Sequence, residues 1–187
     1  MNKAVFFDRD GVINENGACL NRKDKIVILP GVKEALGKIK ALVPLLIVIS
    51  NQPIIARGLS NEEEIKEINN CINEKIDNLI DWFYFCPHHP NADLNKYRVN
   101  CECRKPRAGM IFQAAKDYNI DLSNSWFVGD MISDIIAGKS AGCKTILLKS
   151  PDNNNLIEGD KSISLDVKPD FYAKEISEVV GYIERND

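Results

Sequence analysis

The chain has 187 residues, of which 44% are hydrophobic and 27% are charged. This length fits one ordinary domain with its own hydrophobic core, and it excludes small scaffolds that depend on disulfides. The composition is typical of a folded globular protein and excludes a disordered chain. With 24 basic and 27 acidic residues the formal net charge is -3. A general nucleic-acid binder would carry a basic excess, so we expect no nucleic-acid partner.

The chain contains no apolar run long enough for a secretory signal or a membrane span. We therefore expect a cytoplasmic protein with no membrane partner. The six cysteines are unusual in this setting. Clustered cysteines in cytoplasmic proteins more often bind metals or take part in catalysis than form disulfides.

Short apolar runs alternate with helical patterns along the chain. The predicted strands are Ala4–Phe7, Leu45–Ile49, Trp82–Phe85, Trp126–Val128 and Thr145–Leu148. Predicted helices follow Pro30-Gly31, run from a capping box at Ser60 and Glu63 to Leu79, and cover about 108–118, 131–141 and 174–184. This alternation predicts one Rossmann-like, three-layer α/β domain over residues 1–187, with a mostly parallel sheet. Two long connections, 12–29 and 86–107, interrupt the pattern, and connections of this length are usually functional.

Three predicted strands end in polar residues suited to phosphate chemistry, at 8–11, 50–52 and 129–130. Ligands of open α/β sheets bind at the carboxyl ends of the strands, so these groups should meet in one crevice. Each group alone is only weak support for a phosphate site, because Asp and Gly are common turn residues. The alternative is an α/β domain with acidic turns and no phosphate site.

Asp8 and Asp10, separated by one residue, can divide a phosphoryl transfer between them. One carboxylate attacks phosphorus, and the other gives a proton to the departing oxygen and later takes one from water. Because phosphate is anionic, a carboxylate nucleophile needs a cation nearby, and Mg²⁺ suits such a site. Asp130 is the expected second carboxylate for Mg²⁺, with Asp134 one helical turn further on as a candidate to support it.

The connection at 86–107, called here the cysteine loop, has the spacing of a metal site. Cys86-x-His88 is separated by twelve residues from Cys101-x-Cys103. Three thiolates and an imidazole suit a structural Zn²⁺ with all four positions filled by protein. His89 is an alternative ligand to His88, and the alternative for the whole loop is a set of free cysteines. The cysteines without partners at such spacing, expected to be ordinary thiols, are Cys19, Cys71 and Cys143.

Two cations follow the last cysteine of the loop directly. Metal binding would fix Arg104 and Lys105, so that a guanidinium and an ammonium meet a phosphorylated substrate without being ordered at that moment. Arg57 is a third candidate. The alternative for each cation is a solvated surface charge.

These motifs, in this order and over residues 3–150, resemble the four motifs of the haloacid dehalogenase (HAD) superfamily of phosphatases. The resemblance implies that Asp8 is the nucleophile and Asp10 the general acid and base. It further implies the phosphoryl-binding residues Ser50, Asn51 and Lys105, and a Mg²⁺ site formed by Asp8, the main-chain carbonyl of Asp10, and Asp130. No large cap domain is expected, because the predicted sheet and helices use most of the chain.

The cysteine loop, together with the stretch 50–58, resembles one branch of that superfamily, the heptose-bisphosphate phosphatases. This resemblance implies an enzyme that removes the 7-phosphate of a heptose 1,7-bisphosphate, a small phosphorylated sugar, with Gln52, Arg57 and Arg104 as further contacts. The small substrate and the compact size lead us to expect a monomer. Histidinol-phosphate phosphatases share the loop and are the alternative enzyme. A zinc-loop binding module without catalysis is the alternative of another class. The positions that depart from the usual heptose pattern, all flanking the expected substrate position, are the stretch 17–20 and Pro53, Ile54 and Met131.

Overall fold

The computed structural model describes residues 1–16, 25–148 and 167–187, so Cys19 lies outside the described residues. Six strands in the described ranges form one sheet in the order β3-β2-β1-β4-β5-β6, and every described strand pair is parallel. The predicted parallel α/β fold is therefore confirmed. The strands are β1 Ala4–Phe7, β2 Leu45–Asn51, β3 Trp82–Cys86, β4 Trp126–Gly129, β5 Lys144–Leu148 and β6 Phe171–Ala173.

The central strands are apolar on both faces because helices cover both faces of the sheet. Side chains alternate along β1, so Val5 and Phe7 pack into one core cluster while Ala4 and Phe6 pack into the other. Phe7 is level with Val48 of β2 and with Val128 of β4. The residues that follow these three strands consequently share one edge of the sheet.

Helices form a layer on each face of the sheet. The helices of the first layer are α1 Val32–Leu42, α3 Glu62–Lys75 and α6 Ile176–Asn186; those of the second are α4 Gly109–Tyr118 and α5 Ile132–Ala141. A single short turn of helix, α2 Pro53–Ala56, follows β2. The described ranges contain no further domain over the sheet edge, which agrees with the absence of a cap. None of the described helices is long and apolar enough to cross a membrane.

Helix α3 differs from its prediction at both ends. The predicted capping box at Ser60 is wrong, because the N-cap is Asn61, whose side chain accepts a hydrogen bond from the backbone N of Glu64 at 2.9 Å. The helix ends at Lys75 and not at Leu79. Asn73 explains the early end, since its side chain binds both the backbone N and the carbonyl of Ile80, at 3.1 and 3.0 Å. The chain between them turns through two residues with positive φ.

Strand β6 was not predicted from the sequence. It has three residues and only Ala173 is buried, so it lacks the continuous apolar run of the inner strands. The strand pairs with β5 and is supported by Phe171, whose ring stacks on Tyr182 of α6 at 4.5 Å between centroids. Tertiary contacts therefore form this strand where local sequence gives little signal.

Candidate active site

Asp8 directly follows β1 and lies in a largely buried position at the sheet edge. Its backbone N donates to the carbonyl of Val128 at 2.9 Å, which continues the pairing with β4 and fixes the side chain. Its Oδ1 accepts from the backbone N of Arg9 at 2.8 Å. Burial raises the pKa of Asp8 to about 8, an effect that the ammonium of Lys105 opposes and nearby carboxylates reinforce. A divalent cation beside Asp8 would favour its ionised form.

Lys105 places an ammonium between the carboxylates of Asp8 and Asp134. Its Nζ lies 2.7 Å from Asp8 Oδ1 and 2.7 Å from Asp134 Oδ1, and it donates to the carbonyl of Ile49 at 2.9 Å. The side chain is only 4% exposed. Although burial opposes a charge, the two carboxylates hold the pKa of Lys105 above its ordinary value. The predicted cation is therefore a buried ammonium and not a solvated surface charge.

Three buried carboxylates meet at this edge, from Asp8, Asp130 and Asp134. One oxygen of each lies within 4.8 Å of the others. Asp134 is fixed by accepting a hydrogen bond from the backbone N of Met131 at 3.0 Å. When these groups and Lys105 are all ionised, two negative charges remain. Oxygen donors and this charge fit a hard divalent cation such as Mg²⁺, so the residues present suit the metal that the sequence predicts.

Two glycines allow the carboxylates to approach the backbone this closely. A Cβ on Gly11, which has a φ of +87°, would lie 2.3 Å from Asp130 Oδ2. A Cβ on Gly129 would lie 2.2 Å from the Cβ of Asp134. Since any other residue would displace a carboxylate, both glycines belong to the construction of the site.

The carboxylate of Asp10 is held away from the three-carboxylate cluster by a set of donors. Arg9 Nη2 donates to both oxygens, at 3.2 and 3.0 Å, while Asn14 Nδ2 and Gln52 Nε2 each donate at 2.9 Å. Burial opposes ionisation, but Arg9 and the hydrogen bonds outweigh it and keep the pKa of Asp10 below its ordinary value. The predicted contact of its main-chain carbonyl with Mg²⁺ stays a prediction.

The residues that follow β2 do two different things. Ser50 is buried, and its Oγ accepts from Gln52 Nε2 at 2.6 Å. Asn51 turns instead toward the cysteine loop, where its Oδ1 accepts from the backbone N of Lys105 at 3.0 Å and its Nδ2 donates to the carbonyl of Lys105 at 3.1 Å. The structure thus places Asn51 as a clamp on the loop, and its predicted contact with phosphate stays a prediction.

The cysteine loop brings its four predicted ligands together. Cys103 Sγ lies 3.0 Å from Cys86 Sγ, 3.1 Å from Cys101 Sγ and 3.3 Å from His88 Nδ1. All four ligand atoms lie within 4.8 Å of one another, close enough for one Zn²⁺ to bridge them, and the donor set is the one that zinc prefers. His89 lies outside the cluster, because its Nδ1 accepts from the backbone N of Asn91 at 3.1 Å.

The same loop positions Arg104 and contacts the residue before Arg57. Arg104 Nη1 donates to the carbonyl of His88 at 3.2 Å, so this guanidinium contacts one of the four predicted zinc ligands directly. The loop also docks on α2, where the carbonyl of Ala56 accepts from the backbone N of Asp93 and of Leu94, both at 3.0 Å. Arg57, next to that contact, is exposed.

Sequence reasoning missed two residues of this site. Arg9 gives no sequence signal, because it stands between two aspartates and arginines are usually solvated. Asn69 lies among the isoleucines of the apolar face of α3, whose pattern indicates only packing. A buried Asn on an apolar helix face is a signal that could have been used, since such an amide needs a partner.

Comparisons with known proteins identify the family. A family model described as HAD-hydrolase-like matches residues 102–179. Over 185 residues the chain is 35% identical to the D-glycero-beta-D-manno-heptose-1,7-bisphosphate 7-phosphatase of Haemophilus ducreyi, covering 97% of this chain and 98% of that protein. The chain belongs to the HAD superfamily. It is a phosphatase of that superfamily, as the motifs predicted.

Further relatives of this HAD phosphatase agree. It is 41% identical over 150 residues to the D-glycero-alpha-D-manno-heptose-1,7-bisphosphate 7-phosphatase of Burkholderia mallei, covering 79% of each chain. Among solved structures it resembles the D,D-heptose 1,7-bisphosphate phosphatase of B. bronchiseptica complexed with magnesium and phosphate. That match has a TM-score of 0.77, 25% identity and 99% of each chain covered.

Proposed function

We propose that this HAD phosphatase removes the 7-phosphate of D-glycero-D-manno-heptose 1,7-bisphosphate, through an aspartyl-phosphate intermediate. The observation that carries the substrate is that the relatives aligning with 79% to 97% of the chain are named for this reaction. Both anomers occur among those names, so the proposal covers the sugar and leaves either anomer as substrate. A second phosphate on the sugar would suit Arg104, whose Nη1 donates to the carbonyl of His88, and the exposed Arg57, because the chemistry uses neither cation.

Asp8 is the nucleophile in this proposal. Among the described residues, the hydrogen bond and the ion pair of Asp8 both fall on Oδ1, so Oδ2 is the oxygen that attacks phosphorus. As the new P–O bond forms, the ester P–O bond breaks and the departing sugar oxygen takes a proton from Asp10, whose protonated form is the minor one because Arg9 and its hydrogen bonds lower its pKa. Water then attacks the phosphorylated Asp8, and Asp10 takes the proton of that water. Asp10 is thereby restored as the acid.

Asp8, the main-chain carbonyl of Asp10 and Asp130 would hold Mg²⁺, with Asp134 beside them, and the ion when bound would offset the charge of the phosphoryl group. Lys105 offsets the negative charge of the carboxylates, because its Nζ contacts both Asp8 and Asp134. Removing Lys105 would leave two buried carboxylates repelling each other and would disfavour the ionised nucleophile.

The proposal includes a structural Zn²⁺ in the cysteine loop, held by Cys86, His88, Cys101 and Cys103. A filled four-ligand site would fix the loop that supplies Arg104 and Lys105. The five cysteines of the described ranges are all free of disulfides. A cytoplasmic location and a monomeric state belong to the same proposal, since clustered cysteines in cytoplasmic proteins usually bind metal.

A substrate panel with Mg²⁺ tests the function. It includes both anomers of the heptose 1,7-bisphosphate, histidinol phosphate and simple sugar monophosphates. We expect kcat/KM for one heptose bisphosphate to exceed that for histidinol phosphate by about a hundredfold or more, since a site built for two phosphates rejects a substrate with one. A preference for histidinol phosphate would overturn the substrate. Hydrolysis of none of these esters would favour the non-catalytic binding module.

A further inference from the structure

The guanidinium of Arg9 is buried beside the proposed general acid. Its Nη2 donates to Asp10 Oδ1 at 3.2 Å and Oδ2 at 3.0 Å, and its Nε donates to Oδ1 at 3.3 Å. The backbone N of the same residue donates to Asp8 Oδ1. Arg9 is 1% exposed, and arginines are almost never buried to this extent unless they are paired. One residue therefore contacts both aspartates of the motif.

Asn69 of α3 holds the other end of the guanidinium. Its Oδ1 accepts from Arg9 Nη1 at 3.0 Å, and the side chain is 5% exposed. The neighbouring inward positions of α3 are isoleucines, so a buried amide here costs free energy unless it is hydrogen-bonded. The contact joins residues 60 positions apart in sequence. The next residue, Asn70, is exposed and offers a matched comparison.

We propose that Arg9, held by Asn69, is a positioning residue that orients the carboxyl group of Asp10 for proton transfer to the leaving oxygen of the substrate. This inference rests on the proposed phosphatase mechanism. Asn14 and Gln52 each bind one oxygen of Asp10, whereas Arg9 binds both. A planar guanidinium bound at both oxygens fixes the plane of the carboxyl group more firmly than the separate single donors Asn14 and Gln52 do.

The proton balance is closed by the groups already named. As the ester P–O bond breaks, the proton of Asp10 passes to the departing sugar oxygen and Asp10 becomes a carboxylate beside Arg9. The attacking water later returns a proton to Asp10. Arg9 itself keeps all its protons throughout, as expected for a guanidinium.

The dependence of rate on the leaving group tests this role. An alkoxide from a sugar phosphate needs a proton as it departs, whereas nitrophenolate from p-nitrophenyl phosphate is stable without one. Because kcat/KM reports the steps up to departure of the leaving group, it is measured on both esters for the wild type and for each variant. The variants are R9K, which keeps the charge but loses the planar fork, and N69L, which removes the support of Arg9.

We expect R9K and N69L to lose about ten to a hundred times more kcat/KM on the sugar phosphate than on p-nitrophenyl phosphate. D10N serves as the reference and should show the same selectivity with a larger loss. N70L and R185K, at exposed positions of helices α3 and α6, should leave kcat/KM unchanged on both esters. Thermal unfolding of each variant checks that it folds, and if R9K does not fold, N69L decides.

Equal losses on the two esters in R9K and N69L, with a selective loss in D10N, would show that Arg9 only stabilises the fold and would overturn the inference. The proposed function would survive that result. A D10N variant that loses equal kcat/KM on the two esters would instead show that Asp10 is not the acid. That result would overturn both the inference and the proposed mechanism.

Discussion

The side-chain amide of Asn51 forms two hydrogen bonds with the backbone of Lys105, accepting from its N at 3.0 Å and donating to its carbonyl at 3.1 Å. Asn51 ends β2, and Lys105 lies in the cysteine loop, 54 residues away in sequence. Asn51 thus holds the loop at Lys105, whose ammonium lies 2.7 Å from Asp8. The position of that ammonium depends on this clamp as well as on the loop's own structure.

Asn51→Ala should lower activity by displacing Lys105. We expect kcat/KM to fall by about tenfold or more, since small misplacements of a catalytic group are costly. The free energy of unfolding should fall by about 1–3 kcal/mol, because a backbone N–H and a carbonyl lose their partner. Steady-state kinetics and urea unfolding measure the two effects. Asn70→Ala, at an exposed position of α3, is the control, and an Asn51→Ala enzyme as active as this control would disprove the clamp.

Lys105→Met should destabilise the protein far more than the loss of a surface lysine. It leaves Asp8 and Asp134 buried without their counter-charge, which typically costs about 3–5 kcal/mol. Lys33→Met is the matched change, because Lys33 pairs with Asp77 at 2.8 Å but both side chains are exposed. Such pairs are worth about 0–1 kcal/mol.

Urea unfolding of both lysine variants without Mg²⁺ makes this comparison. Equal losses of stability in the two variants would contradict the buried bridge that we assign to Lys105. Activity provides a second reading, since only Lys105→Met should lose hydrolysis.

Cys103→Ser should empty the proposed zinc site. Metal analysis of protein purified without chelator is expected to find about one zinc per wild-type chain and much less in the variant. Arg104 donates a hydrogen bond to the carbonyl of His88, so loss of the metal should displace Arg104 and raise KM for the bisphosphate. Cys71→Ser removes a cysteine outside the cluster and should keep both the zinc and the KM. A wild-type protein without zinc would refute the metal assignment.

The fold was predictable where the pattern is strong. The inner strands are continuous apolar runs, and they were found with correct positions because burial on both faces requires such runs. The end of α3 and strand β6 were missed for one reason. Asn73 ends the helix through contacts with Ile80, and Phe171 supports the strand through Tyr182, so both features depend on partners that a local pattern does not show.

The sequence predicts most residues of the site but not the hydrogen bonds that join them. Parallel strands bring their ends to one edge, which is why Asp8 and Asp130 could be placed together. The clamp from Asn51 to Lys105 and the support of Arg9 by Asn69 could not be foreseen. Each joins residues more than 50 positions apart through a side chain whose orientation only the fold determines.

The most direct test of the mechanism is to trap the phosphorylated enzyme. The protein is mixed rapidly with Mg²⁺ and the heptose bisphosphate, quenched in acid, and digested for mass analysis. We expect one phosphoryl group on the peptide that contains Asp8, and none in Asp8→Asn, which should also lose turnover. A phosphoryl group on another residue, or an Asp8→Asn variant with more than about a tenth of the wild-type rate, would contradict Asp8 as the nucleophile.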